Sequence, residues 1–437
     1  MTTPIYDFVK KYADSKTARF HMPGHKGVGP LGLEKYDITE IKGADVLYSA
    51  DGIIDESENN LSSLYGTAHS FYSTEGSTLA IKAMLRLATA ESGEERPLVL
   101  AARNVHTAFI KAAALLDLDV EFIYPERADH LCRCHITASD VEKTLSSSAR
   151  EPSAVYVTSP DYLGNMLDIS AISAVCDRYS VPLLVDNAHG AYLKFLPVDM
   201  HPISLGAAMC ADSAHKTLPV LTGGAYFHIS KKYPDYVERA REALSLFAST
   251  SPSYLTLCSM DMCNARLASD YTEKISLLGE KALEMKAKIV DMGYDIVYGE
   301  PLKIVIKASG RLADHLRECG VEVEFADYDY TVLMLTPENT EGDFEKLLSA
   351  LASYKGEREE GCIISVNRGK RVVSIRKAML SPSEIISVED SVGRICASPT
   401  VSCPPAVPIV VSGELITEND VPVFRHYGID KVSVIIE

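Results

Sequence analysis

AMCADSAHKTLPVLTGGAYFHIS, residues 208–230, is the stretch from which the rest of the chain can be read. Residues 207–211 are small and apolar and predict a short buried strand. Residues 212–217 form a polar turn, and a second strand runs through Tyr226. In the turn stands Lys216, preceded by His215 and Ser213 and followed by the flexible pair Gly223 and Gly224. A lysine between apolar strands is costly to bury unless its amine has a use. The plain alternative is a solvated loop lysine, and the sequence upstream has to decide between them.

Upstream, short apolar runs alternate with helical patterns. Strands are expected at 70–73, 98–102, 120–124, 154–158 and 183–185, with helices at 77–90, 107–116, 138–147 and 169–179. Strands apolar on both faces and separated by helices predict an α/β fold with a mostly parallel, doubly wound sheet. In such sheets ligands sit at the carboxyl ends of the strands. Before the sheet, 5–12 and 56–65 read as helices, the latter with Leu61 and Leu64 inward, and 37–48 reads as loop and short strand. After it, 233–247 is helical, and 253–292 is one long helix or two. Strands return in DIVYGEPLKIVIKA (295–308) and VEVEFADYDYTVLMLT (321–336), with helices at 312–319 and 341–354, a smaller α+β pattern. The expected organisation is an N-terminal arm (1–65), a large domain (66–265) and a C-terminal α+β domain with a linking helix (266–437).

With 437 residues the chain can bury a large core, and its net charge of −17 disfavours nucleic acid as a partner. Ten cysteines are scattered; Cys132, Cys134 and His135 cluster, but no second ligand pair at matching spacing accompanies them, so no metal site is expected. The N-terminus MTTPIYDFVKKYADSK lacks a signal-peptide core, and no apolar run reaches membrane-spanning length. A soluble, cytoplasmic protein is expected.

Four features fall at strand ends. In STEGST (73–78), Gly76 frees the backbone while Ser77 and Thr78 bring hydroxyls to a helix N-terminus, which suits a phosphate or an ordinary cap. In RNVHTA (103–108), His106 enters a helix as a cap or core imidazole, or as a ring that stacks on an aromatic cofactor. In VPLLVDNAHGAYLKF (181–195), Asp186 ends an apolar strand, where a carboxylate needs a partner or caps a helix; Ala188 is small enough to lie under a ring. Lys216 follows one crossover later. Phosphate seat, stacking ring, carboxylate and lysine in this order along one sheet point to pyridoxal 5'-phosphate (PLP), with Lys216 as the imine-forming amine. Near the N-terminus, FHMPGHKG (20–27) carries His21 and His25 four apart, but Pro23 and Gly24 break any helix between them, leaving a shaped loop.

These segments resemble the bacterial ornithine/lysine/arginine decarboxylases, PLP enzymes of fold type I. FHMPGHKG is similar to the family's N-terminal hallmark, and RNVHTA, VDNAHGAYLKF and SAHKTL to its cofactor motifs. SPDYLGNMLDI (159–169) and CPPAVPIVVSGE (403–414) also match, so the resemblance spans nearly the whole chain, in the family's shorter form. It implies that Lys216 holds PLP, Asp186 pairs with the pyridine nitrogen, His106 stacks on the ring and Ala188 packs on its other face. Gly76, Ser77, Thr78 and Ser213 would bind phosphate, and His215 would sit beside the reacting carbon. His21, His25 and Asp45 would reach the substrate across the interface of a homodimer or higher oligomer. Departures from the family pattern are Glu75, Asn187, Ser412 and Val46.

The implied reaction is decarboxylation of a basic L-amino acid (lysine, arginine or ornithine), giving carbon dioxide and an amine. Two alternatives stay open at this stage: another fold type I reaction such as transamination, aldol cleavage or elimination, or an inactive homologue that serves as a binding subunit.

Overall fold

The computed structural model describes residues 1–126, 130–308, 310–356, 367–400 and 405–436. Helices α1 (Pro4–Ala13) and α2 (Ile53–Tyr65) come first. Strand and helix then alternate: β1 (His69–Ser73), α3 (Gly76–Thr89), β2 (Leu98–Ala102), α4 (Thr107–Leu116), β3 (Asp119–Ile123), α5 (Ala138–Ser147), β4 (Ala154–Thr158), α6 (Ile169–Arg178) and β5 (Leu183–Asp186). Next come β6 (Met209–Asp212), the one-turn α7 (Ala214–Thr217) and β7 (Ala225–Ile229). Helices α8 (Val237–Ser245), α9 (Tyr254–Leu267) and α10 (Tyr271–Asp291) lead to β8 (Ile296–Val297), β9 (Lys303–Lys307), α11 (Gly310–Glu318), β10 (Phe325–Ala326), β11 (Tyr330–Met334) and α12 (Glu341–Ser353). The last elements are α13 (Ile375–Leu380), β12 (Ser383–Ser387), β13 (Cys396–Ser398), α14 (Asp420–His426) and β14 (Lys431–Ile435).

Seven strands form one sheet in the order β1-β7-β6-β5-β4-β2-β3. β5–β6, β2–β4 and β2–β3 run parallel; β7 runs antiparallel to both its neighbours. This is the expected α/β architecture. β1, β2, β5, β6 and β7 are buried along their whole length, whereas β3, at the end of the order, exposes Glu121. Continuous apolar runs on inner strands and a mixed run on an edge follow from which faces are covered.

The chain divides into two compact units, one of residues Met1–Ala90 and Pro182–Ile275, the other of Glu91–Val181 and Ser276–Glu437. The first holds β1, β5, β6 and β7 with an aromatic core in which the Tyr65 ring stacks on His228 at 4.4 Å. The second also carries a four-stranded sheet, β10-β11-β9-β8, and a three-stranded one, β12-β14-β13, both antiparallel. Helix starts follow their caps: Thr137 with Asp140 and Thr340 with Asp343 each close a capping box.

Some local expectations change. The polar turn at 212–217 is partly helical, because Ala214 accepts the Leu218 N–H. The second strand begins only at Ala225, after the Gly223–Gly224 turn. Of the two readings for residues 253–292, one long helix or two, the structure has two, broken after the C-cap Ala268. The short strand expected within 37–48 is replaced by a single 3-10 turn at Leu47–Ser49. Helix α2 starts earlier than expected, and of its two leucines Leu61 is buried while Leu64 is half-buried. Cys403 and Pro404 of the CPPAVPIVVSGE segment lie outside the described residues.

Candidate active site

Lys216 owes its position to a tightly bonded turn. Its N–H donates to the Ser213 carbonyl at 3.0 Å, and His215 sends both its backbone N–H (3.1 Å) and its ring Nδ1–H (2.9 Å) to the Gly224 carbonyl. The Gly223 carbonyl in turn accepts the Gly76 N–H at 2.7 Å, which ties the lysine turn to the loop between β1 and α3. Gly223 has φ +95°, and a Cβ there would stand 2.8 Å from the Thr74 carbonyl oxygen, so only glycine fits. Held this way, Lys216 is half-buried, with Nζ 3.2 Å from Nε2 of the buried His189.

β5 and β6 are parallel, with Asp186 opposite Ala211, so the Asp186 carboxylate and the Lys216 turn emerge at the same sheet end. Asp186 is buried, and one of its oxygens accepts the Ala188 N–H at 3.3 Å; Ala188 itself is half-buried. Ser73, which ends β1, and Asp212, which ends β6, pair with the adjacent residues Ala225 and Tyr226 of β7, so the α3 N-terminus belongs to this end as well. There Ser213 donates to Ser77 Oγ at 2.7 Å, and Thr78 lies beside them, half-buried. Gly76 has φ +71° and open space where a Cβ would stand.

The N-cap position of α3 is Glu75, and it makes no side-chain cap. Its carboxylate turns instead to the Ser249 N–H at 2.8 Å, so that of the first N–H groups of α3 only that of Gly76 is taken, by the Gly223 carbonyl, and those of Ser77 and Thr78 are left to a ligand. This unit therefore assembles an amine, a buried carboxylate, two paired hydroxyls and an uncapped helix start. That donor set fits PLP: amine for aldehyde, carboxylate for ring nitrogen, hydroxyls and helix N–H groups for phosphate.

A second, wholly buried layer lies behind it. Asp212 accepts from His201 Nε2 (3.0 Å), His228 Nε2 (3.3 Å), Asn187 Nδ2 (2.8 Å) and Cys210 Sγ (3.2 Å). Burial pushes the Asp212 carboxyl up, but the two imidazoles more than offset this and leave it well below the usual carboxylate range. Burial pushes His228 down. Sequence reasoning missed His189, Asn187, Asp212, His201 and His228 as a set. Of these, Asn187 was singled out, only as a departure from the family pattern, and His189 lies three residues after Asp186 on the same strand-end loop.

In the other unit, His106 is the N-cap of α4, and its Nδ1 accepts the Ala108 N–H at 3.0 Å. The same RNVHTA segment grips the tail: Arg103 donates to the Pro408 (2.9 Å) and Ile409 (2.8 Å) carbonyls, and Thr107 N–H to Ala406 (2.9 Å). In the N-terminal loop, His21 Nε2 lies 2.6 Å from the Tyr12 hydroxyl, and His25 donates to Asp37 at 3.1 Å. Asp45 accepts four backbone N–H groups, from Val46, Asp51, Gly52 and Ile54, and thereby caps the start of α2.

Among the described residues, three groups of His, Cys and acid side chains come close enough to hold a metal. In two of them a histidine Nδ1 accepts a backbone N–H: His201 from Ile203 (3.3 Å) and His130 from Cys132 (3.1 Å). Each then carries its proton on Nε2 and donates it to an aspartate, as a hydrogen-bonding group rather than a ligand. In the third, Asp55 and Glu58 already hold Arg241. His135, from the Cys132 and Cys134 cluster, is exposed while both thiols are buried.

The model of the Orn/Lys/Arg decarboxylase major domain matches residues 3–292. Among curated proteins, the arginine decarboxylase of Bacillus subtilis is 28% identical, over 96% of this chain and 92% of its own length. The uncharacterized protein YaaO of the same organism is 27% identical, over 96% and 93%. The lysine decarboxylase of Francisella novicida superposes with a TM-score of 0.83 at 17% identity, covering 99% of this chain and 81% of that one. The fold is that of the fold type I PLP enzymes. A lysine turn, a strand-end acid and an uncapped phosphate seat on this sheet, with a family match over most of the chain, make the conclusion plain: the chain belongs to the Orn/Lys/Arg decarboxylase family and is an amino-acid decarboxylase.

Proposed function

We propose that this chain removes the α-carboxylate of a basic L-amino acid (arginine, lysine or ornithine), using PLP carried on Lys216. The observation that carries this reading is the Lys216 Nζ, 3.2 Å from His189 in the turn that follows β6, at the sheet end where Asp186 closes β5. Arginine leads among the substrates, because a relative aligned over 96% of this chain is an arginine decarboxylase.

When bound, PLP supplies the electron sink for the pair left by the breaking Cα–carboxylate bond. Asp186, a buried carboxylate, would pair with the ring nitrogen and hold a proton on it. Ser77, Ser213 and Thr78, with the Ser77 and Thr78 N–H groups that follow the bend at Gly76, would hold the phosphate. His189 and Lys216 exchange a proton across their 3.2 Å contact, so the lysine amine can be neutral when it attacks and charged when it returns a proton. His215 spends its Nδ1–H on the Gly224 carbonyl, so Nε2 is the nitrogen through which it would exchange a proton. Either it or Lys216 delivers the proton that replaces carbon dioxide on Cα. By the family motif alone, His106 would stack on the ring and Ala188 would lie against its other face.

We place the working enzyme in a homodimer or larger assembly. Phe20 (95% exposed), Met22 (71%) and Leu31 (81%) of the N-terminal loop leave apolar surface for a second copy to cover. In that assembly His21 and His25 lie toward the substrate, and Asp45, its oxygens filled by backbone donors, acts through the shape of its turn. Among the described residues no helix is long and apolar enough to cross a membrane. A reducing cytoplasm suits the buried free thiols, Cys132 and Cys210 among them.

The test is a panel of L-amino acids scored for both carbon dioxide and amine. Equal release of both from arginine, lysine or ornithine is the expected result. Keto-acid formation without carbon dioxide would point to transamination, and a colourless protein that takes up no PLP would point to a binding subunit.

A further inference from the structure

We propose that Asn187 and Asp212 are a positioning pair, an amide matched to a buried anion, that fixes the strand end bearing Asp186 against the turn bearing Lys216. The inference rests on the reading of those two residues as the cofactor-holding acid and amine.

The backbone ladder between β5 and β6 runs out at the Asn187 N–H, which donates to the Ala211 carbonyl at 2.9 Å. One residue further along β6, the side chains take over: Asn187 Nδ2 donates to Asp212 Oδ1 at 2.8 Å, with both residues 0% exposed. This tie lies one residue past Asp186 and four before Lys216. Asp212 cannot swing to find another arrangement. Its other oxygen is held by His201 and His228, and their own second nitrogens are committed, to the Ile203 N–H (3.3 Å) and to Ser70 Oγ (2.8 Å).

Asn187 is equally constrained. Turned over, its carbonyl oxygen would face the Asp212 carboxylate, so the amide must point its NH2 there. Its Oδ1 then lies against Gly190, where a Cβ would come within 1.9 Å of it, and that oxygen has no hydrogen-bond partner. A buried acceptor left unpaired costs stability. The fold tolerates that cost at the residue after Asp186, as expected where position matters more than local stability. An acid at 187 would set two carboxylates against each other in a site closed to water, and one would have to move or take up a proton.

The experiment compares Asn187→Asp, Asp212→Asn and the double exchange, in the PLP-loaded enzyme and as apo-protein. In the double exchange the amide now at position 212 offers its oxygen to the two imidazoles and its NH2 to the carboxylate now at position 187, so the bonds are remade with acid and amide interchanged. Asn187→Asp is expected to lower kcat on the order of 10²-fold with KM nearly unchanged, the mark of misplaced groups rather than lost substrate contacts. It should also alter the visible spectrum of the PLP-loaded protein and lower the melting temperature of the apo-protein. The double exchange should recover most of kcat, the wild-type spectrum and the apo melting temperature, so that the two substitutions are strongly non-additive.

Wild-type kcat in Asn187→Asp overturns the proposal. So does a double exchange no better than the worse single variant, whether it folds or not. If instead the wild-type enzyme binds no PLP and releases no carbon dioxide, the functional reading fails, while non-additivity of the apo melting temperatures still tests the pair.

Discussion

At the scale of single residues, two positions, half-buried Gly223 and buried Asp161, lead to distinct measurements. Gly223 is fixed by φ +95° and by the Thr74 carbonyl 2.8 Å from where a Cβ would stand. Gly223→Ala should therefore cost about 1–3 kcal/mol of stability and weaken PLP binding, because the Gly76 N–H bond to the same residue must shift; denaturant titration and PLP titration read the two effects. Asp161 lies in the SPDYLGNMLDI segment, where burial raises its carboxyl to about 6 despite the Asn165 N–H that it accepts. The folded chain thus keeps a proton that the unfolded chain, titrating near 4, has already lost. Stability from this group is complete below about pH 4 and falls as pH rises through about 6, by roughly 3 kcal/mol. Asp161→Asn should remove that slope, seen as a gain over wild type in urea midpoints at neutral pH and none at pH about 4. Lys216 and Asp186 were legible from sequence because a charged residue ending an apolar run stands out. Asn187, His201 and His228 were not, because a polar side chain within a buried network carries no periodic signature until its partner is known.

Elements are held by fewer, larger interactions. Arg241 on α8 donates to Asp55 (2.9 Å) and Glu58 (2.7 Å) on α2, and Glu58 also accepts the Tyr72 N–H of β1 at 2.8 Å. The Glu58 side chain is 0% exposed, so removing the guanidinium strands a buried charge. Arg241→Ala should cost about 3 kcal/mol or more, and adding Glu58→Gln should return part of it; a double-mutant cycle by thermal or chemical melting checks both. The alternation of strand and helix was readable because inner strands such as β2 and β5 are apolar on both faces. What sequence misplaced were elements shaped by hydrogen bonds alone: the one-turn α7 under Lys216 and the 3-10 turn at Leu47–Ser49. Glu75, a departure from the family pattern, turns its carboxylate to the Ser249 N–H on the loop after α8.

For the whole molecule, the balance of −17 and the exposed apolar loop at 20–31 act together. Under the proposed function the charge would favour cationic amino acids, and the loop would supply the surface that a second copy buries. Light scattering should report a dimer or larger, and replacing Phe20 and Met22 by serine should shift it toward monomer with a fall in activity. All of this depends on one covalent site. The most direct measurement is to load the protein with PLP, reduce it with borohydride and locate the modified peptide by mass spectrometry. A pyridoxyl group on Lys216, absent from Lys216→Ala along with the visible band and carbon dioxide release, is the result predicted here; a label on another lysine, with Lys216→Ala still coloured and active, would contradict it.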